Sequence, residues 1–178
     1  MQTIQPIQME QSSGMSKRLL ESVNAETGFA SNMIRTMAQS PNTLDGYLQF
    51  KRALAAGKLD PKLREQIALT VAQTNECEYS LMEHTRTAEG LGLSDEEIVS
   101  SLGGHAATRK TAAALLFARY LARTGEAQPA DLTGAGFSEA EIVEIVATVA
   151  LNAFESYFNN VANTDLDVAI TGKRGKAA

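Results

Sequence analysis

Glu65, Cys77 and His84 are the residues of this sequence whose types and spacing suggest chemistry. Cys77 is the only cysteine, so neither an intrachain disulfide nor a multi-cysteine metal site can form. A lone cysteine is either a small buried hydrophobe or a reactive thiol. Histidine titrates near neutral pH and a carboxylate can exchange protons with it, so the other two residues suit acid–base catalysis. Any chemistry is therefore predicted to centre on these three residues.

The segment around Cys77 is predicted to be a helix that starts after Asn75 and has the cysteine in its first turn. Asn75, followed three positions later by Glu78, has the spacing of a capping box. Free amide groups and the helix dipole at this place favour a thiolate. Glu76 and Glu78 oppose it, because nearby negative charge disfavours ionisation of a thiol. The sequence does not decide which effect is larger.

Positions 77, 80 and 84 share one face of this helix, because residues three and four apart are neighbours. Helical side chains lean toward the N-terminus, so His84 is expected to reach Ser80 first. Cys77 lies about 10 Å along the axis from His84, at a rise of about 1.5 Å per residue. A direct hydrogen bond between them is therefore not expected within one straight helix, and a water molecule or the Ser80 hydroxyl would have to connect them.

Helices are also predicted for the rest of the chain. Asp60 and Pro61 form a helix start signal, an N-cap followed by proline at the first helical position. Leu63, Ile67 and Val71 follow as one apolar stripe. Other helices are predicted within residues 16–37, 41–57, 94–102, 108–123 and 139–161, with a short helical turn at 129–132. Because no strand-like alternation stands out, the predicted fold class is all-α.

The chain has 178 residues, 44% of them hydrophobic and 21% charged, which is ordinary for a globular protein. Residues 1–14 are predicted to be a flexible arm, 15–168 a single helical domain and 169–178 a basic tail exposed to solvent. The helical stretch 142–151 is itself apolar on nearly every side, which predicts that it is buried partly against another subunit.

Composition also argues against several classes of partner. The net charge of −5, without a basic stripe, makes nucleic-acid binding improbable. No apolar run of about 18 residues is present, so no membrane span is expected. The first residues lack the features of a signal peptide, which predicts a cytoplasmic location. His105, which follows two glycines, is interpreted as a loop residue, and neither a metal nor a cofactor is expected.

The spacing of glutamate, cysteine and histidine resembles the signature of alkylhydroperoxidase-like proteins, which belong to the carboxymuconolactone decarboxylase family. That signature is a glutamate, eleven residues, a cysteine, two residues, a second cysteine, three residues and a histidine, and Glu65, Cys77 and His84 match it. The flanks 59–69, 90–98 and 157–164 are similar as well, so the resemblance covers roughly residues 41–168. It implies a fold of helical hairpins that assembles into trimers or hexamers.

The sequence departs from this signature at position 80, where Ser80 stands in place of the second cysteine. In redox members, the resemblance implies, that second thiol attacks the peroxide, the first resolves it, and the glutamate and histidine relay the proton. Serine cannot replace it, because a hydroxyl is far less acidic than a thiol and is not oxidised to a sulfenic acid.

Three explanations remain open. Cys77 acts alone with an external thiol reductant; Glu65 and His84 perform non-redox acid–base catalysis, as in a lactone decarboxylase; or Ser80 marks an impaired or engineered form. A non-catalytic assembly module is a further alternative. The preferred hypothesis is a peroxidase-type, antioxidant oxidoreductase that acts on a peroxide or small organic substrate, with Cys77, His84, Glu65 and Ser80 as its catalytic residues.

Overall fold

The computed structural model describes residues 2–126 and 131–167, and within these ranges it contains helices and no strand. The all-α fold class is therefore confirmed. After a short 3-10 turn at Met9–Gln11, the helices are α1 (Gly14–Thr27), α2 (Asn32–Met37), α3 (Pro41–Ala55), α4 (Pro61–Thr74), α5 (Glu78–Gly90), α6 (Asp95–Leu102), α7 (Arg109–Thr124) and α8 (Glu139–Ala162). The predicted basic tail and the first half of the predicted turn at 129–132 lie outside the described residues.

The chain divides into two compact units. The central unit is Ala53–Tyr157, and the terminal unit contains the described residues up to Arg52 together with those from Phe158 onward. All four predicted site residues belong to the central unit. The predicted boundaries of one domain, 15–168, stay a prediction.

Helix α4 organises the central unit, because it packs against α5, α6 and α7. The predicted apolar stripe of α4 is confirmed: Leu63, Ile67 and Val71 are buried in the main core cluster. Other members of this cluster come from α7 and α8, including Leu115 and Ile145, both fully buried. A second cluster joins Leu69 of α4 to Ala88 of α5.

Local capping explains where several helices start. Ser94 forms a capping box with Glu97 at the start of α6. Ser138 and Glu141 exchange the same pair of hydrogen bonds at the start of α8. The backbone N–H of Ser138, with help from its hydroxyl and from Lys110, lowers the pKa of Glu141 to about 2.

The prediction for the start of α5 was wrong in one respect. Asn75 is the C-cap of α4, and Cys77 is the N-cap of α5. The two helices are joined by a tight turn, in which the Asn75 N–H donates to the Val71 carbonyl and the Cys77 N–H to the Ala72 carbonyl. Glu76 adopts a left-handed φ of 51° in this turn. Asn75 therefore closes one helix and does not open the next.

In the terminal unit, the segment predicted to be a flexible arm is attached by specific hydrogen bonds. The Thr3 N–H donates to the Ala162 carbonyl at 2.7 Å, and the amide of Gln2 donates to the Thr36 hydroxyl at 2.8 Å. Gln2 is also buried. The polar composition of the arm gave no sign of these contacts, because they join positions distant in sequence.

The stretch 142–151 of α8, predicted to be buried partly against another subunit, includes exposed apolar residues. Val143 is 68% exposed and Val146 is 42% exposed. Assembly through this stretch, as a trimer or hexamer, stays a prediction. Within residues 2–126 and 131–167, no helix has both the length and the apolar composition needed to cross a membrane.

Candidate active site

The turn between α4 and α5 places Cys77 and Ser80 in direct contact. The Cys77 Sγ–H donates to the Ser80 Oγ at 3.2 Å. Both residues are 1% exposed, so this contact is shielded from water. The shared face predicted for positions 77 and 80 is therefore observed as a thiol–hydroxyl hydrogen bond.

His84, one turn further along α5, is held by two carboxylates from two other helices. Its Nδ1 lies 2.9 Å from Oε2 of Glu65 on α4. Its Nε2 lies 3.2 Å from Oε2 of Glu155 on α8. Both nitrogens of the ring are thus used, and such charge-assisted hydrogen bonds are stronger than neutral ones.

The surroundings of His84 favour its charged form. Burial of the ring lowers the pKa of His84, but the negative charge of Glu65 and the hydrogen bonds to Glu155 and Glu65 outweigh burial. The pKa of His84 is therefore raised well above its usual value. The two carboxylates therefore favour the doubly protonated ring, in which each N–H group donates to one carboxylate.

The structure brings the four predicted residues together as two pairs on α5 and α4. Cys77 contacts Ser80, and His84 contacts Glu65. Ser80 and His84 are four positions apart on α5, so they are neighbours on the helix surface and the two pairs lie about one turn apart. His105 lies between α6 and α7, outside this arrangement, as the loop prediction stated.

Glu155 is the site residue that the sequence analysis missed. It is 2% exposed and lies 71 positions from His84. A signal was present in α8, an apolar helix in which Thr148, Asn152 and Ser156 recur at helical spacing and are buried. Glu155 lies on that polar stripe. A polar stripe on an otherwise apolar helix indicates an internal polar site.

The carboxylates do not form a metal site. Among the described residues, no group of three or more His, Cys, Asp or Glu side chains is arranged to hold a metal ion. The reason is geometric, since Glu65 and Glu155 bind the two nitrogens of one ring and so lie on different sides of it. The site therefore offers a thiol, a hydroxyl and a proton-transfer group made of two carboxylates and a histidine.

These features define an all-helical protein with a buried thiol beside a carboxylate–histidine pair. Residues 41–123 match the model of the carboxymuconolactone decarboxylase family. This segment of the chain is therefore similar to the carboxymuconolactone decarboxylase family, as the predicted resemblance states. None of the curated proteins compared with the chain matches it.

Solved structures with a similar fold extend beyond the matched segment. A peroxidase-related protein from Silicibacter sp. TM1040 is 18% identical, with a TM-score of 0.80 over 95% of each chain. A peroxidase-related protein from Ralstonia eutropha JMP134, described as an alkylhydroperoxidase AhpD core, is 20% identical, with a TM-score of 0.76 over 94% of each chain. At these identities the likeness shows the fold alone.

A debrominase, Bmp8, has the same fold. It is 17% identical, with a TM-score of 0.78 over 95% of this chain and 94% of its own. A cysteine-to-alanine variant of Bmp8 has been solved in complex with 2,3,4-tribromopyrrole. The fold is therefore found in proteins described by more than one activity.

Proposed function

We propose that this protein is a thiol-dependent, peroxidase-type enzyme in which Cys77 is the residue oxidised. The observation that carries the proposal is the buried Cys77–Ser80 hydrogen bond, which lies on the same helix face as His84. Ser80, the hydrogen-bond partner of the thiol, lies four positions before His84 on α5, so the two residues are neighbours on the helix surface. Burial of Cys77 restricts access, so hydrogen peroxide and small organic hydroperoxides are the substrates expected to react.

The reaction follows from the atoms present. The Cys77 sulfur attacks one peroxide oxygen, an S–O bond forms and the O–O bond breaks. The sulfur is oxidised to a sulfenic acid, and the departing oxygen leaves as water or an alcohol after taking up one proton. The thiol loses a proton in the same step, so no net proton is consumed.

Reduction requires a thiol from outside the chain, because Cys77 is the only cysteine. One external thiol condenses with the sulfenic acid to give a mixed disulfide and water. A second external thiol then attacks this disulfide, which releases the Cys77 thiol and a small-molecule disulfide. Ser80 accepts the hydrogen bond of the thiol and orients it, but it does not resolve the oxidised form.

A chemical trap tests this proposal. The protein is exposed to hydrogen peroxide in the presence of dimedone and digested, and the Cys77 peptide is weighed by mass spectrometry. We expect a dimedone adduct at Cys77, none in Cys77→Ala, and turnover of peroxide when a monothiol is supplied. An unmodified Cys77, in a mixture where an exposed control thiol reacts, would refute the proposal.

A second candidate function is supported by a different observation. Glu65, His84 and Glu155 form a proton-transfer group that does not need the thiol. A lactone decarboxylase of the family type would use such a group for acid–base catalysis. In that case Cys77→Ala keeps full turnover of a γ-carboxylated lactone, while Glu65→Gln loses it. Loss of turnover in both variants would argue against the acid–base candidate.

The likeness to Bmp8 suggests one further probe for the substrate class. Bromide release from 2,3,4-tribromopyrrole, measured with an excess of external thiol, is compared with peroxide turnover under the same conditions. We expect peroxide to be the faster substrate. Faster debromination that depends on Cys77 would keep the thiol as the reacting group but replace the peroxide as substrate.

A further inference from the structure

Glu155 distinguishes this site from a simple glutamate–histidine pair. Its carboxylate is buried, whereas the side chain of Glu65 is 19% exposed. The two carboxylates of His84 are therefore not equivalent. Glu65 can exchange a proton with solvent or substrate, while Glu155 is enclosed.

Three other buried polar residues of α8 make hydrogen bonds within their own helix. The hydroxyl of Thr148 donates to the Glu144 carbonyl, the amide of Asn152 to the Thr148 carbonyl, and the hydroxyl of Ser156 to the Asn152 carbonyl. Glu155 instead reaches across to α5. A buried carboxylate is strongly unfavourable unless a positive charge or a hydrogen-bond donor compensates it. Helix packing alone does not supply this compensation, so we look to the contact between Glu155 and His84.

We infer that Glu155 is a positioning residue that keeps His84 in the imidazolium form, so that His84 is the proton donor of the site and Glu65 the proton acceptor. This inference deepens the proposed function and rests on it for the reaction step. The charged groups that act on the His84 ring are Glu65 from α4 and Glu155 from α8. Arg64, the neighbouring cation of α4, instead donates to the Leu59 carbonyl.

The consequence is a reversal of the usual role of a catalytic histidine. A ring that already carries both protons cannot remove a proton from the thiol. In the peroxide reaction the thiol of Cys77 releases its proton to solvent, His84 gives a proton to the departing oxygen, and Glu65, which is 19% exposed, takes up a proton from solvent. Transfer from Glu65 to Nδ1 of His84, within their 2.9 Å hydrogen bond, then restores the resting state. The protons balance over the step.

Two substitutions on α8 separate this role from a structural one. Glu155→Gln keeps the shape and a hydrogen-bond acceptor but removes the charge. Glu139→Gln is the matched control, because it makes the same chemical change at an exposed position of the same helix. The readout is the ¹⁵N NMR titration of His84, with His105, the other histidine of the chain, as an internal reference.

We expect His84 to carry both protons at neutral pH in the unaltered protein and in Glu139→Gln. In Glu155→Gln its pKa should move down, because one of the two negative partners is lost. The rate of dimedone-trapped oxidation of Cys77 should fall about 100-fold, the lower range for loss of a positioned proton donor. Glu155→Asp, which keeps the charge, should titrate closer to the unaltered protein than Glu155→Gln does.

Two results would overturn the inference: a neutral His84 ring at pH 7 in the unaltered protein, or an unchanged titration in Glu155→Gln. Should Glu155→Gln fail to fold, Glu155→Asp decides, since a titration no higher than that of isolated histidine would also contradict the inference. A His84 titration that responds as expected, in a protein whose Cys77 does not react with peroxide, supports the role of Glu155 and refutes the proposed peroxidase activity.

Discussion

Restoring a cysteine at position 80 is the sharpest test of whether this site was built for redox chemistry. Ser80→Cys would place a second thiol where the Ser80 hydroxyl now accepts the hydrogen bond of Cys77 at 3.2 Å. A disulfide requires the two sulfurs to be about 2.0 Å apart. The side chains therefore need to approach by only about 1 Å, which small rotations at the start of α5 can supply.

The expected gain in stability follows from the size of the loop that is closed. Residues 77 to 80 form a loop of four residues, for which the chain-entropy relation gives a stabilisation of about 2 kcal/mol. In a protein of this length, that corresponds to a rise in Tm of about 4–8 °C. The rise should appear under oxidising conditions and vanish when dithiothreitol is added.

The assay combines thiol counting, thermal unfolding and peroxide turnover. We expect Ser80→Cys to lose both free thiols on oxidation, to show the reductant-sensitive rise in Tm, and to turn over peroxide faster than the unaltered protein when a dithiol is supplied. Ser80→Ala is the control, and it should show none of these effects. If the two cysteines stay reduced under excess peroxide, or oxidise with no gain in turnover, the redox interpretation of the site is refuted.

Three further predictions follow from the described contacts. Because the pKa of His84 is raised in the folded state, its contribution to the free energy of unfolding should be fully present below about pH 6.5 and lost as the pH rises through the pKa of the folded state. Urea unfolding of His84→Asn, measured over the same pH range, should lack this pH dependence. Ser138→Ala should lower the free energy of unfolding by about 1 kcal/mol in urea titrations, because it removes the cap of α8 to which Glu141 is bonded. Ile67→Ala should lower it by about 2–5 kcal/mol, since this side chain is 0% exposed, whereas Val99→Ala, at a position 66% exposed, should change it by less than about 0.5 kcal/mol.

The helices of the central unit were predictable where a local rule determines them. The Ser94 and Ser138 capping boxes and the apolar stripe of α4 depend on spacings of three or four residues, which the sequence displays directly. Asn75 was assigned to the wrong helix for the same reason. In a tight turn between two helices, one polar residue satisfies the local rule for either end, and only the hydrogen bond from its N–H to Val71 distinguishes them.

The site was predictable to the extent that one helix and its neighbour form it. Cys77, Ser80 and His84 share a face of α5 by helical geometry, and Glu65 comes from the preceding helix. Glu155 could not be assigned in this way, because its contact with His84 depends on how α8 packs within the central unit. A buried polar stripe indicates that a helix faces an internal site, but it does not say which residue it will meet.

Serine at position 80 separates the two kinds of chemistry that this site can support. The carboxylate–imidazolium group of Glu65, His84 and Glu155 is complete in this chain, since both ring nitrogens have their partners. The Cys77–Ser80 pair is incomplete as a redox site, because Cys77 has a hydroxyl beside it in place of a second thiol. A two-cysteine mechanism is therefore closed to this protein, and any redox turnover must recruit its second thiol from solution. Dependence of turnover on the concentration of that thiol is accordingly the kinetic property that a Cys77 peroxidase must display and that an acid–base enzyme of the same fold must lack.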